Sequence, residues 1–150
     1  MTGCMKKNLV RVLGGLLGLF IVMQLVPYGR DHTNPPVKAE PAWTSPEVRA
    51  LAVRACFDCH SNESKWPWYS NVAPVSWVVA HHVDEGRREL NFSEWDRTQR
   101  HAKDAAEELR EGEMPMPPYL LMHAEAKLTD AEKKQLGDAF VAMFGADEKH

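Results

Sequence analysis

Two cysteines and a histidine within one five-residue stretch could hold a haem covalently. Cys56 and Cys59 are three positions apart, and His60 directly follows the second of them. Each thiol can add across one vinyl group of a porphyrin, and the two intervening residues allow both sulfurs to reach the same edge of the ring. His60 can then supply an axial nitrogen to the iron. The motif therefore predicts one haem c, attached covalently through Cys56 and Cys59 and ligated by His60.

Three other kinds of site remain open for the same cysteines. A thioredoxin-like redox pair requires a βαβ context, but no sequence around Cys56 alternates like a strand. A structural zinc ion takes four ligands, and the remaining cysteine, Cys4, lies near the N-terminus. A disulfide between the two thiols would leave the adjacent His60 without a role. Haem attachment is the interpretation that uses all three residues.

The size and composition of the chain fit one modest globular domain with a targeting segment. Its 150 residues are 44% apolar and 26% charged, and the formal net charge is −3. These values exclude a disordered or collagen-like chain. They give no basic excess, so we expect no nucleic-acid partner.

Residues 1–28 combine positive charges with a long apolar run. Lys6 and Lys7 precede the run from Leu9 to Tyr28, and Arg11 lies near its start. About twenty apolar residues cross a bilayer core, and positively charged residues stay on the cytoplasmic side. The sequence predicts one uncleaved transmembrane helix with a cytoplasmic N-terminus, and a cleaved secretory signal is the alternative. Either segment would export the remainder of the chain.

Residues 29–43 and 44–145 are predicted to be a linker and a small helical domain. The proline-rich linker should be extended, with little secondary structure. Helix caps and apolar spacing predict four helices in the domain. These helices begin at Thr44-Ser45, Pro74, Ser93 and Thr129, and they end near Cys56, Gly86, Glu111 and Gly145. No stretch alternates convincingly as a strand, so the predicted fold class is all-α.

The order of these features resembles the class I cytochrome c arrangement, in which a helix leads into the haem motif and a Met–Pro loop precedes a terminal helix. Five groups of residues are similar to the bacterial haem-binding domain family in particular. They are Cys56 to Asn62, Pro67 to Asn71, Pro74 to Trp77, Gly86-Arg87 with Leu90 to Ser93, and Glu113-Met114-Pro115 with Tyr119, His123 and Ala126 to Thr129. The resemblance covers the chain from Thr44 to Phe144. It implies a small, monohaem, cytochrome c-like domain in the periplasm or on the outer face of a bacterial inner membrane.

The resemblance also suggests candidates for the second axial ligand. Met114 matches the family's Glu-Met-Pro and lies where class I cytochromes c place their methionine. Met116 is the immediate alternative because its own proline follows it. His82 and His123 match family histidines and would give a bis-histidine haem, although each is more readily a packed or surface residue than a ligand. An open sixth position is the remaining alternative. Arg87 could pair with a haem propionate or be a solvated arginine.

Electron transfer is the function that this site favours, with a redox partner protein that the sequence does not identify. A six-coordinate haem with a soft ligand changes oxidation state with little reorganisation. A peroxidase-like enzyme is an alternative that would need a vacant sixth position and distal groups such as His81, His82 or His123. A haem-based sensor or haem-stabilised interaction module is another. No other catalytic motif is present, so an electron carrier is favoured over an enzyme.

Overall fold

The computed structural model describes residues 2–145, which form helices joined by turns and loops. The α-helices are α1 (Thr2–Met23), α2 (Pro46–Ala55), α3 (Phe57–His60), α4 (Val75–Glu89), α5 (Ala105–Glu111), α6 (Pro117–Leu120) and α7 (Asp130–Phe144). Two short 3-10 helices cover Trp68–Asn71 and Ala124–Ala126. An isolated bridge pairs Ala39 with Glu94, and residues 2–145 contain no strand. The all-α prediction is confirmed for these residues.

The chain divides into two compact units. Unit 1 consists of the residues up to His32 together with Trp66–His81, and unit 2 consists of Thr33–Lys65 and the residues from His82 onward. The predicted haem-attachment residues, iron ligands and propionate contact belong to unit 2, whereas the candidate distal residue His81 belongs to unit 1.

Unit 1 contains α1 and a turn that follows it. The Gln24 side chain binds the backbone of Ala73 twice: its Oε1 accepts from the Ala73 N–H at 3.0 Å, and its Nε2 donates to the Ala73 carbonyl at 2.9 Å. Gly29 has a φ of 77°, and a Cβ there would lie 2.3 Å from the Ser76 carbonyl oxygen. The turn therefore requires glycine at this position.

The sequence predicts a transmembrane helix over residues 1–28. Among residues 2–145, no helix is both long enough and apolar enough to cross a membrane. Helix α1 carries Lys6, Lys7 and Arg11 in its first half and ends at Met23. Met1 lies outside the described residues.

The core of unit 2 forms where α5 packs against α7 and α7 packs against α2. Leu51 of α2, Leu109 of α5, and Leu136 and Phe140 of α7 are buried there. Phe92, which precedes α5, stacks on Phe140 with a centroid distance of 5.9 Å. Burial of apolar side chains is the main stabilising contribution of such a core. It fixes the direction of α2, which leads directly to Cys56.

Three helix boundaries form where the sequence predicts them. At the start of α2, the Ser45 hydroxyl accepts a hydrogen bond from the Val48 N–H at 3.3 Å. At the start of α7, Thr129 and Glu132 form a capping box. Gly112 ends α5 with a left-handed φ of 82°. These boundaries depend on local chemistry alone, which is why the sequence predicts them.

Two predicted helix boundaries are wrong, and both errors arise from tertiary contacts. Ser93 does not cap a helix, because it is buried and its hydroxyl accepts a hydrogen bond from the Asn62 N–H at 2.9 Å. Residues 91–104 form turns and loops, and α5 begins only at Ala105. Gly86 does not end α4, which continues to Glu89. The absence of a side chain at Gly86 instead allows α4 to approach a neighbouring segment closely.

Residues 33–43 contain no helix and hydrogen-bond along unit 2. The Asn34 side chain donates to the Ser64 carbonyl at 2.9 Å. The Trp95 N–H donates to the Ala39 carbonyl at 2.9 Å. This segment is therefore a packed part of the unit that contains the candidate site.

Candidate functional site

The two cysteines lie on the short segment that joins α2 to α3. The Cys56 N–H donates to the Ala52 carbonyl as α2 ends, and α3 begins at the next residue. Both thiols are free, so they form no disulfide. Burial raises the pKa of Cys56 to about 12 and that of Cys59 to about 11, with the neighbouring charges as smaller contributions. Redox-active thiol pairs have lowered pKa values, so these protonated thiols do not fit a thioredoxin-like pair.

A zinc site also lacks support. In the part of the chain that the structure describes, no group of three or more His, Cys, Asp or Glu side chains is placed to hold a metal ion. A zinc ion would need such a cluster from the protein alone. A haem iron does not, because the porphyrin supplies the equatorial nitrogens and the protein supplies the axial ligands.

The His60 ring is fixed by two backbone carbonyls. Its Nδ1 lies 3.0 Å from the Gly86 oxygen and 3.1 Å from the Leu90 oxygen. Carbonyl oxygens only accept hydrogen bonds, so Nδ1 carries the proton and Nε2 keeps its lone pair. Burial lowers the pKa of His60, with the two carbonyl contacts opposing it, and this favours a neutral ring. A metal-ligating histidine is usually in this state: one ring nitrogen donates a hydrogen bond, and the other keeps its lone pair for the metal.

Two adjoining cavities open beside these residues, with volumes of about 300 Å³ and about 180 Å³. They share the lining residues Cys56, His60, Glu89 and Met114. The larger is walled mainly by apolar side chains, namely Leu90, Phe92, Ala105, Leu109 and Phe140. Ligand sites typically enclose about 300–1,000 Å³. Two thiols, an imidazole nitrogen with a lone pair and apolar walls together fit a largely apolar haem.

The structure brings some of the predicted ligands to these cavities. Met114 lines both of them, and Met116, His82 and Cys59 line the smaller one. Neither cavity is lined by His123, whose ring stacks on Tyr119 with a centroid distance of 4.1 Å. Met114 is therefore the candidate sixth ligand that shares both cavities with His60.

Arg87 lines neither cavity and is occupied elsewhere. Its guanidinium donates to the Ser61 carbonyl at 2.8 Å, to the Asn34 side-chain oxygen at 2.8 Å and to the Ser64 hydroxyl at 3.0 Å. Burial lowers the pKa of Arg87, partly offset by nearby acids. These contacts hold the chain that follows the haem motif. A propionate contact by Arg87 stays a prediction.

The segment that carries Met114 is anchored to α5. The Glu113 and Met114 N–H groups both donate to the Glu108 carbonyl, at 3.0 Å and 3.2 Å. The left-handed Gly112 allows the chain to turn back for these contacts. This C-terminal arrangement satisfies carbonyls that a helix end leaves open. It also brings Met114 to the cavity wall.

Two pairs of residues at the site were missed by the sequence analysis. Asp58, between the two cysteines, accepts a hydrogen bond from the Tyr119 hydroxyl at 2.7 Å. His101, which lines the larger cavity, lies 3.0 Å from a Glu89 carboxylate oxygen. The motif and the family resemblance include Asp58 and Tyr119 separately, but no sequence signal pairs residues so far apart. His101 carries no motif at all.

Comparison with known proteins gives a family match. The model of a family described as "Haem-binding domain" matches residues 18–141. A search of curated proteins and a search of solved structures found no match.

Proposed function

Because the chain belongs to the haem-binding domain family, we propose that it holds one haem covalently through Cys56 and Cys59 and uses it to carry electrons. The observation that carries this proposal is the state of His60. Its Nδ1 is bound to the Gly86 and Leu90 carbonyls, so its Nε2 is available to an iron beside two unpaired thiols.

Covalent attachment is an addition reaction without net oxidation or reduction, so it needs no added oxidant. Each S–H bond of Cys56 and Cys59 would add across one vinyl C=C bond of the porphyrin, forming a C–S bond and a C–H bond and leaving a thioether. Burial keeps both thiols in the S–H form, since it raises the pKa of each. Cys56 lines both cavities and Cys59 lines the smaller one. Both thiols thus border the space proposed for the porphyrin.

The ligand set and the walls support electron transfer. When bound, a haem supplies a one-electron couple between ferrous and ferric iron. His60 would ligate from one side, and Met114 is our proposed ligand for the other. A thioether ligand favours reduced iron and raises the potential. The apolar residues Leu90, Leu109 and Phe140 would exclude water from the site, which also tunes the potential.

We further propose that the domain works outside the cytoplasm, with a redox protein as partner. The support is the charge order of the N-terminal segment, in which Lys6 and Lys7 precede the apolar run, as in export signals. A fusion of alkaline phosphatase to the C-terminus tests this directly. The fusion should be active, and an inactive fusion that accumulates in the cytoplasm would contradict export.

Mass spectrometry and redox titration test the main proposal. The full chain is produced with haem-maturation machinery, and the variant C56S/C59S is produced alongside as the matched control. The wild-type polypeptide should carry one porphyrin mass after denaturation, and the variant should carry none. The haem protein should then exchange one electron reversibly with a soluble mediator. A polypeptide with no added porphyrin mass would refute covalent attachment, and a bound haem that cannot be cycled would refute electron transfer.

A further inference from the structure

The Tyr119 hydroxyl connects the methionine segment to the haem-attachment segment. Tyr119 belongs to α6, and its hydroxyl donates to Asp58 Oδ2 at 2.7 Å. Asp58 lies between the two cysteines, and its other carboxylate oxygen accepts from the Lys65 N–H at 3.0 Å. Both Tyr119 and Asp58 line the smaller cavity together with Met114 and Cys59. This hydrogen bond therefore lies in the wall of the proposed haem site.

The chain between residues 114 and 119 is held at both ends. At its start, the Met114 N–H donates to the Glu108 carbonyl at 3.2 Å. At its end, the Tyr119 hydroxyl reaches Asp58, and the Tyr119 N–H donates to the Met116 carbonyl at 3.0 Å. The two methionines at the site, Met114 and Met116, lie within this span. Releasing either end would allow the whole span to move away from the cavity.

The phenol of Tyr119 is suited to remain a donor. Burial raises its pKa first, and the hydrogen bond to Asp58 and the charges of Asp58, Cys59 and Glu125 add to the rise. A hydrogen bond from a neutral hydroxyl to a carboxylate is shorter and stronger than one between neutral groups. The ring also stacks on His123, with planes inclined by 9°. The side chain is thus fixed both at its hydroxyl and across its face.

We propose that Tyr119 is a positioning residue for the sixth iron ligand, because its hydrogen bond to Asp58 holds the 114–119 span with Met114 at the cavity. This inference rests on the proposed function and on Met114 as ligand. Tyr119 does not touch the iron in this scheme. It acts through the chain that carries Met114, and it couples that chain to the segment between Cys56 and Cys59.

Loss of the hydrogen bond should make the sixth position easier to open. An external ligand such as imidazole can bind ferric iron only after the protein ligand leaves, so its binding reports how often Met114 dissociates. We expect Y119F to bind imidazole about tenfold faster than the wild type, the size of effect given by one hydrogen bond to a charged group. The sulfur-to-iron charge-transfer band at the red end of the ferric spectrum should weaken in the same variant.

Four variants of the haem-loaded full chain separate this role from general destabilisation. D58A removes the acceptor and should match Y119F, whereas D58N keeps an acceptor oxygen without the charge and should fall between the wild type and D58A. The double variant Y119F/D58A should be no faster than either single variant, because both remove the same bond. Y28F, at a tyrosine that is 48% exposed and lines neither cavity, removes a hydroxyl of the same kind and should leave both readouts unchanged.

Each outcome decides the inference. The inference would be overturned if Y119F bound imidazole at the wild-type rate and kept the sulfur-to-iron band. Additive effects of Y119F and D58A in the double variant would overturn it too. A wild-type protein that carries haem but lacks the sulfur band would overturn it as well, since the sixth ligand would then not be methionine, while covalent haem attachment would stand. A wild-type protein with no haem would refute the proposed function itself.

Discussion

Gly86 of α4 passes so close to Cys59 that a β-carbon at this position would lie 2.6 Å from the Cys59 carbonyl oxygen and 3.1 Å from the Cys59 Cβ. The Gly86 carbonyl also lies 3.0 Å from His60 Nδ1. One residue of α4 therefore sets both the approach of this helix to the attachment segment and the orientation of the proposed axial imidazole.

The close approach predicts that G86A destabilises the protein and impairs haem attachment. Alanine normally stabilises a helix interior by about 1 kcal/mol relative to glycine. Here the added methyl group meets backbone atoms that cannot move cheaply, and overpacking of this kind costs about 1–3 kcal/mol. We expect a lower thermal unfolding midpoint for the haem-free protein and a smaller haem-to-protein absorbance ratio after maturation.

The matched control for this substitution is G137A in α7. A β-carbon at Gly137 would have its nearest neighbour, Arg110 Nε, at 3.7 Å, which is ordinary van der Waals contact. G137A should be as stable as the wild type or more stable, and it should load haem normally. If G86A were as stable as G137A and loaded haem as well, the close contact between α4 and Cys59 would not exclude a β-carbon at position 86.

The sequence predicts the parts of this site that depend on neighbouring residues. The spacing of Cys56 and Cys59 follows from the porphyrin that they would reach, and the capping box at Thr129 follows from atoms three residues apart. The function of Gly86 is a different case. An isolated glycine can end a helix or permit a close approach, and the sequence alone does not distinguish these two roles.

The parts that the sequence does not predict depend on partners far along the chain. Ser93 has the local pattern of a helix cap, but its hydroxyl is used by the Asn62 N–H, a partner 31 positions away. The hydrogen bond between Tyr119 and Asp58 spans 61 positions. Tertiary contacts of this kind override local preferences. Such pairs become neighbours only when the chain folds.

The three contacts of Arg87 predict that its replacement lowers the stability of the fold more than it changes the visible spectrum of the haem. R87A removes donors to the Ser61 carbonyl, the Asn34 side chain and the Ser64 hydroxyl. We expect a loss of about 2 kcal/mol, since hydrogen bonds to charged groups contribute about 1.5–3 kcal/mol each and solvent replaces part of this set. Urea unfolding of the haem-free protein measures the change.

Its neighbour provides the control for this prediction. The side chain of Arg88 is 64% exposed and pairs with the side chains of Glu85 and Glu89, so R88A should leave the stability close to that of the wild type, because surface ion pairs contribute little. A visible spectrum that shifts in R87A, with stability unchanged, would instead support the contact between Arg87 and a haem propionate.

Glu132 predicts part of the acid sensitivity of the fold. The Thr129 N–H donates to its carboxylate at 2.8 Å, and Arg54 lies 2.6 Å away. These partners, the Thr129 backbone first, lower the pKa of Glu132 from 4.5 to about 2. A carboxylate with a lowered pKa in the folded state contributes stability above its unfolded pKa, and this contribution is lost as the pH falls. The stability that Glu132 contributes is therefore lost as the pH falls from 4.5 to about 2.

The variant E132Q tests this window. Its urea midpoint should be lower than that of the wild type at pH 7, and the difference should shrink as the pH falls from 4.5 to about 2. D130N, which neutralises another acid in the first turn of α7, should retain the contribution of Glu132 and its pH dependence. A constant difference between E132Q and the wild type at every pH would show that the carboxylate charge is not what stabilises this helix start.

Met114 and Met116 make the ligand assignment directly testable. Met114 lines both cavities, whereas Met116 lines only the smaller one, so we expect M114A to lose the sulfur-to-iron charge-transfer band and M116A to keep it. M114A should also have a lower reduction potential, because a thioether stabilises the reduced iron. Ferric absorption spectra and a potentiometric titration measure both effects. Loss of the band in M116A alone would assign Met116 as the ligand, and bis-histidine spectra in both variants and the wild type would assign a histidine.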